Sequence, residues 1–167
     1  MKGDPKKIAL VGESAGGNLA VATAIRARDN GMMLPTAIVA VYPVAGSDTT
    51  TKSYSKNANA KPLSKAMMVW FLKKYLNTMA DGKDTRINLV AANLKGLPPT
   101  TIITDEIDPL NSEGMLLADK LKASGVSVDS KNYDGVTHEF FGMGTVVPEA
   151  KDAEMYAISQ LKKAFGM

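Results

Sequence analysis

The chain has 167 residues and no cysteine, with 45% hydrophobic residues, 22% charged residues and a net charge of +3 at pH 7. These values suit one soluble domain over residues 1–167, and they exclude disulfides and thiolate catalysis. Basic and acidic residues are interspersed, so we expect no nucleic-acid partner. No apolar run approaches the roughly 18 residues of a membrane-spanning helix, so we expect no membrane span. The N-terminus lacks a signal-peptide core, so we expect a cytoplasmic protein.

The first predicted element is a strand over residues 8–11, which is apolar on both faces as a buried parallel strand should be. The segment Gly12-Glu13-Ser14-Ala15-Gly16 follows it, and a helix is predicted from Gly17 to residue 30, with Gly31 as its stop. The G-x-S-x-G pattern between a strand and a helix indicates a nucleophile elbow. Its glycines lack Cβ atoms, so the chain can reverse sharply and leave the Ser14 hydroxyl accessible.

The remaining elements alternate between strand and helix. Residues 44–62 are rich in Ser, Thr, Asn and Lys and are predicted as a long loop. The alternation predicts an α/β fold with about four mainly parallel strands flanked by helices. The further strands are predicted over residues 36–42, 100–104 and 126–132, and the further helices from residue 64, over residues 111–124, and from Pro148 to about residue 165.

The helix that begins near residue 64 has a distinct apolar face. Ser64 is its predicted N-cap. We interpret the apolar face as core rather than as cofactor contacts. The residues of this face are Met67, Met68, Phe71, Leu72 and Tyr75.

Three residues that can form a catalytic triad each lie just past a predicted strand: Ser14, Asp108 and His138. Sites in open α/β sheets form outside the carboxyl ends of the strands, so these side chains can converge there. A serine needs an imidazole to take its proton, and the imidazole needs a carboxylate to fix its tautomer. His138 is the only histidine, and the order Ser, Asp, His is that of α/β-hydrolases.

Simpler interpretations exist for these residues. Ser14 and Asp108 could be turn or helix-capping residues, and a lone histidine is usually structural. Asp108 also belongs to an acidic cluster with Asp105 and Glu106 that could hold Mg²⁺, but no phosphate loop accompanies it. We therefore predict no metal and no cofactor.

Two glutamates flank the presumed nucleophile and base. Glu13 precedes Ser14, and Glu139 follows His138. We interpret both as solvated carboxylates rather than as groups that tune the imidazole.

Several segments of the chain are similar to the motifs of one known family, in order and spacing. They run from about Asp4 to the end of the chain and include Gly12-Glu13-Ser14-Ala15-Gly16-Gly17-Asn18-Leu19-Ala20, Tyr42-Pro43-Val44, Leu97-Pro98-Pro99-Thr100, Asp108-Pro109-Leu110 and Tyr133-Asp134-Gly135-Val136-Thr137-His138. With them the chain resembles the hormone-sensitive-lipase-like carboxylesterases of the α/β-hydrolase superfamily. The resemblance implies that Ser14 is the nucleophile, His138 the general base and acid, Asp108 the orienting carboxylate, and the Ala15 N–H an oxyanion-hole donor.

Members of that family carry roughly as much chain again before the nucleophile, including several strands, cap segments and a His-Gly-Gly-Gly oxyanion loop. The resemblance is therefore to the C-terminal half, and we expect a partial α/β-hydrolase fold that lacks the N-terminal strands and the cap. Each oxyanion donor that is lost costs on the order of 10²–10³ in rate. The first strand would also have a bare apolar edge, so we expect a homo-oligomer or association with a missing N-terminal half.

Two functions stay open at this point. The first is hydrolysis of small short-acyl carboxylic esters through an acyl-enzyme on Ser14, with activity reduced by the absent glycine loop. The alternative is a truncated, catalytically inert fragment that acts only by assembly or ligand binding. An acyltransferase or peptidase that uses the same triad is a more distant third.

Overall fold

Four parallel strands form one sheet in the computed structural model, which describes residues 3–167. The strands pair in the order β1-β2-β3-β4. They are Ala9–Glu13 (β1), Ala37–Val41 (β2), Thr100–Ile107 (β3) and Val128–Thr137 (β4). The helices are Ala15–Asp29 (α1), Lys52–Lys56 (α2), Lys65–Tyr75 (α3), Asn111–Ala123 (α4) and Pro148–Phe165 (α5). The predicted α/β architecture is confirmed, while Met1 and Lys2 of the predicted domain lie outside the described residues.

Helices cover both faces of the sheet because its central strands are apolar on both sides. All five residues of β2 are buried, and successive side chains point to opposite faces. Ile38 and Ala40 pack with α1 and α4, whereas Val39 and Val41 pack against α5. Helix α5 meets the sheet through the small side chains of Ala150, Ala153 and Ala157. Each fully buried Val or Ile stabilises this core by about 1.5–3 kcal/mol.

Local signals in the sequence set several element boundaries. The Ser64 hydroxyl accepts a hydrogen bond from the Met67 N–H at 3.3 Å, which confirms the predicted N-cap of α3. Gly31 and Gly125, just past α1 and α4, have φ of 64° and 80°, the left-handed conformation that ends helices. Pro148 opens α5 as predicted.

Two predicted boundaries are wrong. The segment predicted as a loop over residues 44–62 contains the short helix α2. Strand β4 was expected to end at residue 132 but continues to Thr137. It continues because Gly135 adopts a φ of 75° where the register shifts between Asp105 and Ile107, so the strand bends and resumes pairing.

The apolar face of α3 is only partly core, contrary to the prediction. Met68 and Leu72 are each 4% exposed, and Met68 packs with Tyr54 and Leu63. The other side chains of the predicted face, Met67, Phe71 and Tyr75, are 41%, 45% and 73% exposed. Three of the five side chains of this face therefore remain available for contacts outside the core.

Across residues 3–167, no helix is both long enough and apolar enough to cross a membrane.

Candidate active site

The three residues of the predicted triad meet at the carboxyl edge of the sheet. Ser14 follows β1, Asp108 follows β3 and His138 follows β4, each without an intervening residue. His138 Nε2 lies 3.0 Å from Ser14 Oγ, and His138 Nδ1 lies 2.6 Å from Asp108 Oδ2. One chain of hydrogen bonds thus links the hydroxyl, the imidazole and the carboxylate.

Ser14 occupies a strained turn. Its φ of 56° and ψ of −120° lie outside the regions that L-residues prefer, a strain that costs about 1–3 kcal/mol. The turn is fixed by hydrogen bonds: the Ser14 N–H donates to the Val41 carbonyl at 2.9 Å, and the Ser14 carbonyl accepts from the Val44 N–H at 3.1 Å. The hydroxyl is held half-buried between β1 and α1, as an elbow nucleophile is.

The two glycines of the G-x-S-x-G pattern have different physical roles. A Cβ on Gly12 would lie 2.2 Å from the Gly16 carbonyl oxygen, whereas a Cβ on Gly16 would meet nothing within 4 Å. The turn therefore closes directly over Gly12, and of these two glycines only Gly12 must lack a side chain; just past the pattern, a Cβ on Gly17 would lie 2.9 Å from the Pro43 Cβ.

We predict that Gly12→Ala lowers the free energy of unfolding by about 1–3 kcal/mol or more, because the backbone of the turn must move to admit the methyl group. The matched variant Gly16→Ala adds the same methyl group inside α1 and should leave the stability unchanged or raise it by up to about 1 kcal/mol. Urea midpoints of the two variants check this. Equal midpoints would show that the turn does not depend on close approach at Gly12.

Asp108 is fully buried and its orientation is fixed by backbone groups. Its Oδ1 accepts the Leu110 N–H at 2.8 Å, which leaves Oδ2 for the imidazole. The Asn57 side-chain amide donates to the Asp108 carbonyl at 3.0 Å, and the Ser53 hydroxyl donates to the Pro109 carbonyl. Helix α2, which the sequence did not predict, therefore holds the loop that carries the acid.

Tyr42 supports the imidazole, a role that the sequence did not reveal. Its ring centroid lies 4.5 Å from that of His138, which is itself 4% exposed. The Tyr42 hydroxyl donates to the Glu13 carboxylate. Burial and then this bond to Glu13 raise the pKa of Tyr42, so it remains a neutral donor. Tyr42 directly follows β2, so the rule that located the triad at strand ends could have found it too.

The flanking glutamates differ from each other. Glu13 is not merely solvated, since it accepts the Tyr42 hydroxyl that lies against the base. Glu139 is exposed, with a φ of 69°, at the rim of the cleft described below. Glu13 is exposed, as expected for a solvated carboxylate, and in addition accepts one hydrogen bond that the sequence did not reveal.

The acidic cluster does not form the three-carboxylate group that the sequence allowed. The Glu106 carboxylate turns to the surface, where it accepts from Lys56 Nζ at 2.9 Å and from the Gly135 N–H at 3.1 Å. Asp105 and Asp108 instead point inwards, with ligand atoms within 4.8 Å of each other and of His138. Neither carboxylate oxygen of the buried Asp105 has a hydrogen-bond partner among the described residues.

A cleft of about 700 Å³ opens over the Ser14 hydroxyl. Ser14, Ala15 and His138 lie at its base, and one wall is the face of α3 that the core leaves exposed. Its lining is mainly apolar, and includes Leu19, Leu63, Met67, Met68, Phe71 and Leu72. An apolar group bound here would lie against the Ser14 side chain.

The chain has a strained serine between a strand and a helix, and an acid and an imidazole after later strands of a parallel sheet. This arrangement defines an α/β hydrolase. A family model described as an alpha/beta hydrolase fold matches residues 1–142, and the chain belongs to this family.

Relatives of the chain are carboxylesterases and esterases. The chain is 35% identical over 166 residues to "Carboxylesterase NlhH" of Mycobacterium tuberculosis, an alignment that covers 97% of this chain and 52% of that protein. It is 29% identical to "Ethyl acetate hydrolase" of Pseudomonas putida, covering 96% of this chain and 51% of that protein.

Solved structures agree with these relatives. The thermostable carboxylesterase EstE1 from a metagenomic library superposes with a TM-score of 0.92 at 35% identity, covering 96% of this chain and 56% of EstE1. An esterase from the bacterial hormone-sensitive lipase family superposes with a TM-score of 0.90 at 31% identity, covering 96% of this chain and 54% of that esterase. The predicted resemblance to this family is confirmed. The chain spans about half the length of the relatives that it matches.

Proposed function

We propose that the chain provides the catalytic triad of a serine carboxylesterase that acts on small short-acyl esters in the cytoplasm. The observation that carries this proposal is the unbroken hydrogen-bonded path from Ser14 through His138 to Asp108, which opens into an apolar cleft. The names of the relatives, carboxylesterase and ethyl acetate hydrolase, support the same class of substrate.

The geometry supports the following mechanism. Asp108 accepts the Nδ1–H of His138, so the lone pair of Nε2 faces the Ser14 hydroxyl and can take its proton. Ser14 Oγ then attacks the ester carbonyl, and the imidazolium protonates the leaving alcohol. The acyl-enzyme is hydrolysed by water that His138 deprotonates in turn, which releases the carboxylic acid and restores Ser14.

The oxyanion hole is the weakest part of this proposed site. The Ala15 N–H is at the first position of α1, where no carbonyl of the helix can accept it, and it lines the cleft beside Ser14. The nearby side-chain amide of Asn18 is already bonded to the Val44 and Ile87 carbonyls at 2.9 and 3.1 Å. Among residues 3–167, the Ala15 N–H is the donor that we assign to the oxyanion hole, and each further donor that is missing should lower the rate by on the order of 10²–10³.

Hydrolysis of p-nitrophenyl acetate and butyrate by the purified chain tests the proposal. Labelling with a fluorophosphonate, read by peptide mass spectrometry, tests the activation of Ser14 separately from turnover. Slow hydrolysis together with labelling at Ser14 is the expected result. Labelling without turnover would show an activated serine in an incomplete site, and the absence of both would favour the inert, assembling or ligand-binding fragment.

We also propose that β1 is the surface through which the chain associates. It lies at one end of the strand order and pairs only with β2 among the described residues. Ile8 and Val11, at this edge, are 46% and 54% exposed. An apolar edge with unpaired backbone groups favours pairing with another strand, either of a second copy or of a preceding half of the fold.

Light scattering at micromolar concentration checks this association. We predict a species larger than the monomer for the wild type, and a shift to monomer for Val11→Lys, because a lysine on an edge strand opposes pairing. The matched control is Val146→Lys, at a site that is 77% exposed before α5. A monodisperse wild-type monomer, or equal effects of both variants, would contradict the role of β1.

A further inference from the structure

Asp105 is a buried carboxyl group that the triad mechanism does not use. It is 0% exposed, and neither of its oxygens has a hydrogen-bond partner among the described residues. It lies on the same face of β3 as Ile103, which packs with Val39, Val41 and the alanines of α5. A carboxylate in such surroundings lacks both solvent and a counter-charge.

The donors that could stabilise a charge on Asp105 are already engaged. The Tyr42 hydroxyl donates to Glu13, and the Asn111 amide donates to the Asp105 carbonyl and to Asn132 Oδ1. Tyr133, its partner in register on β4, donates its hydroxyl to Asp152 of α5. Among the described residues, Asp108 and His138 are the titratable groups whose ligand atoms lie within 4.8 Å of an Asp105 carboxylate oxygen.

The neighbouring acid is in the opposite situation. Asp108 uses one oxygen for the Leu110 N–H and the other for His138 Nδ1, and both bonds favour its ionised form. Two buried carboxylates this close repel each other, so the partnered one takes the charge and the unpartnered one keeps its proton.

We propose that Asp105 is a positioning residue of the triad. It stays un-ionised beside Asp108, so the buried site holds one negative charge, that of Asp108, to balance the one imidazolium that His138 can form. This inference rests on the proposed function only for its catalytic consequence. Burial first, and then the charge of Asp108, raise the pKa of Asp105 well above its ordinary range, in agreement with the geometry.

The single histidine makes the proposal testable without turnover. In heteronuclear NMR carried to about pH 10, the His138 ring signals should show an inflection in the alkaline range, when Asp105 ionises nearby. Tyr42 and Tyr54 do not interfere, because burial raises the pKa of both beyond this range. Asp105→Asn, or Asp105→Val as a second neutral variant, should lose the alkaline inflection.

Among residues 3–167, Glu113 is the other buried acid that could produce such an inflection. Burial raises its pKa to about 8, and its carboxylate accepts hydrogen bonds from the Ala45 and Gly46 N–H groups. The matched control is therefore Glu113→Gln, which should keep the alkaline inflection. The proposal would be overturned if the wild type lacked the alkaline inflection. It would also be overturned if Glu113→Gln lost this inflection or if the Asp105 variants kept it.

The pH dependence of the stability against urea gives a second measurement that is independent of activity. The folded state holds a proton on Asp105 where the unfolded state has lost it, so stability falls as pH rises from about 4 towards the raised pKa. The urea midpoint of Asp105→Asn should exceed that of the wild type by an amount that grows between about pH 5 and about pH 9. A difference that does not change with pH would indicate a purely structural residue.

The catalytic consequence appears in the pH profile if the proposed esterase activity is found. An ionised Asp105 adds a second negative charge beside the imidazolium that forms when Ser14 attacks. The kcat/KM of the wild type should therefore rise at alkaline pH, and that of Asp105→Asn should stay level. Failure of the proposed function removes this profile but leaves the NMR and urea results intact. A level wild-type profile in an active protein would overturn the catalytic part of the inference.

Discussion

Replacing Ser14 with alanine is expected to reduce kcat/KM for p-nitrophenyl butyrate by on the order of 10³–10⁴. Removal of a complete triad's nucleophile elsewhere costs about 10⁶, and a weakened oxyanion hole lowers the starting activity by about 10²–10³ for each donor. The loss should fall in kcat more than in KM, because the hydroxyl reacts with the ester but adds little to its binding. Initial rates, corrected for the uncatalysed reaction, give the ratio.

The fold should not change in this variant. Alanine keeps the Cβ of Ser14 and therefore the same strain at a φ of 56°, and the backbone bonds of the turn to Val41 and Val44 are unaffected. Ser159→Ala is the matched control, because that hydroxyl bonds only to the Tyr156 carbonyl on the exposed side of α5. Equal hydrolysis by wild type and Ser14→Ala would mean that another nucleophile carries the activity.

The sequence predicted the positions of the triad because strand ends are strong signals. Ser14 and Asp108 follow mainly apolar strands, and parallel strands bring their carboxyl ends to one edge. The sequence could not predict how His138 reaches the edge of the sheet, because the polar segment around Gly135 has the residues of a turn. Only pairing with β3 across a register shift keeps this segment in the sheet and brings His138 to the edge.

The supporting residues were harder to predict because their roles depend on neighbours that are distant in sequence. Tyr42 reads as a strand residue, and its contact with His138 requires β2 to lie beside β3. Asp105 reads as one member of an acidic run, yet alternation along β3 turns it inwards and leaves Glu106 at the surface. The apolar face of α3 reads as core, but the cluster around Tyr54 covers only its Met68 side. Periodicity predicts that a face is apolar, and packing decides what covers it.

Asp108→Asn is expected to reduce kcat/KM by on the order of 10²–10³, through the tautomer of His138 rather than through loss of contact. The Leu110 N–H needs an acceptor at its present position, 2.8 Å from Oδ1. The asparagine must therefore place its carbonyl oxygen there and turn its NH₂ group towards His138 Nδ1. That nitrogen then becomes an acceptor, the proton moves to Nε2, and Nε2 can no longer take the proton of Ser14.

Because His138 is the only histidine, NMR of its ring nitrogens can verify this cause directly. The proton should reside on Nδ1 in the wild type and on Nε2 in Asp108→Asn. Asp134→Asn makes the same chemical change at an exposed carboxylate that bonds only to the Asn132 amide, and it should alter neither the tautomer nor the rate. A loss of activity without a change of tautomer would show that Asp108 acts by its charge on the imidazolium. An unchanged rate would show that the hydrogen bond between Asp108 and His138 is structural, and the triad would then be reduced to Ser14 and His138.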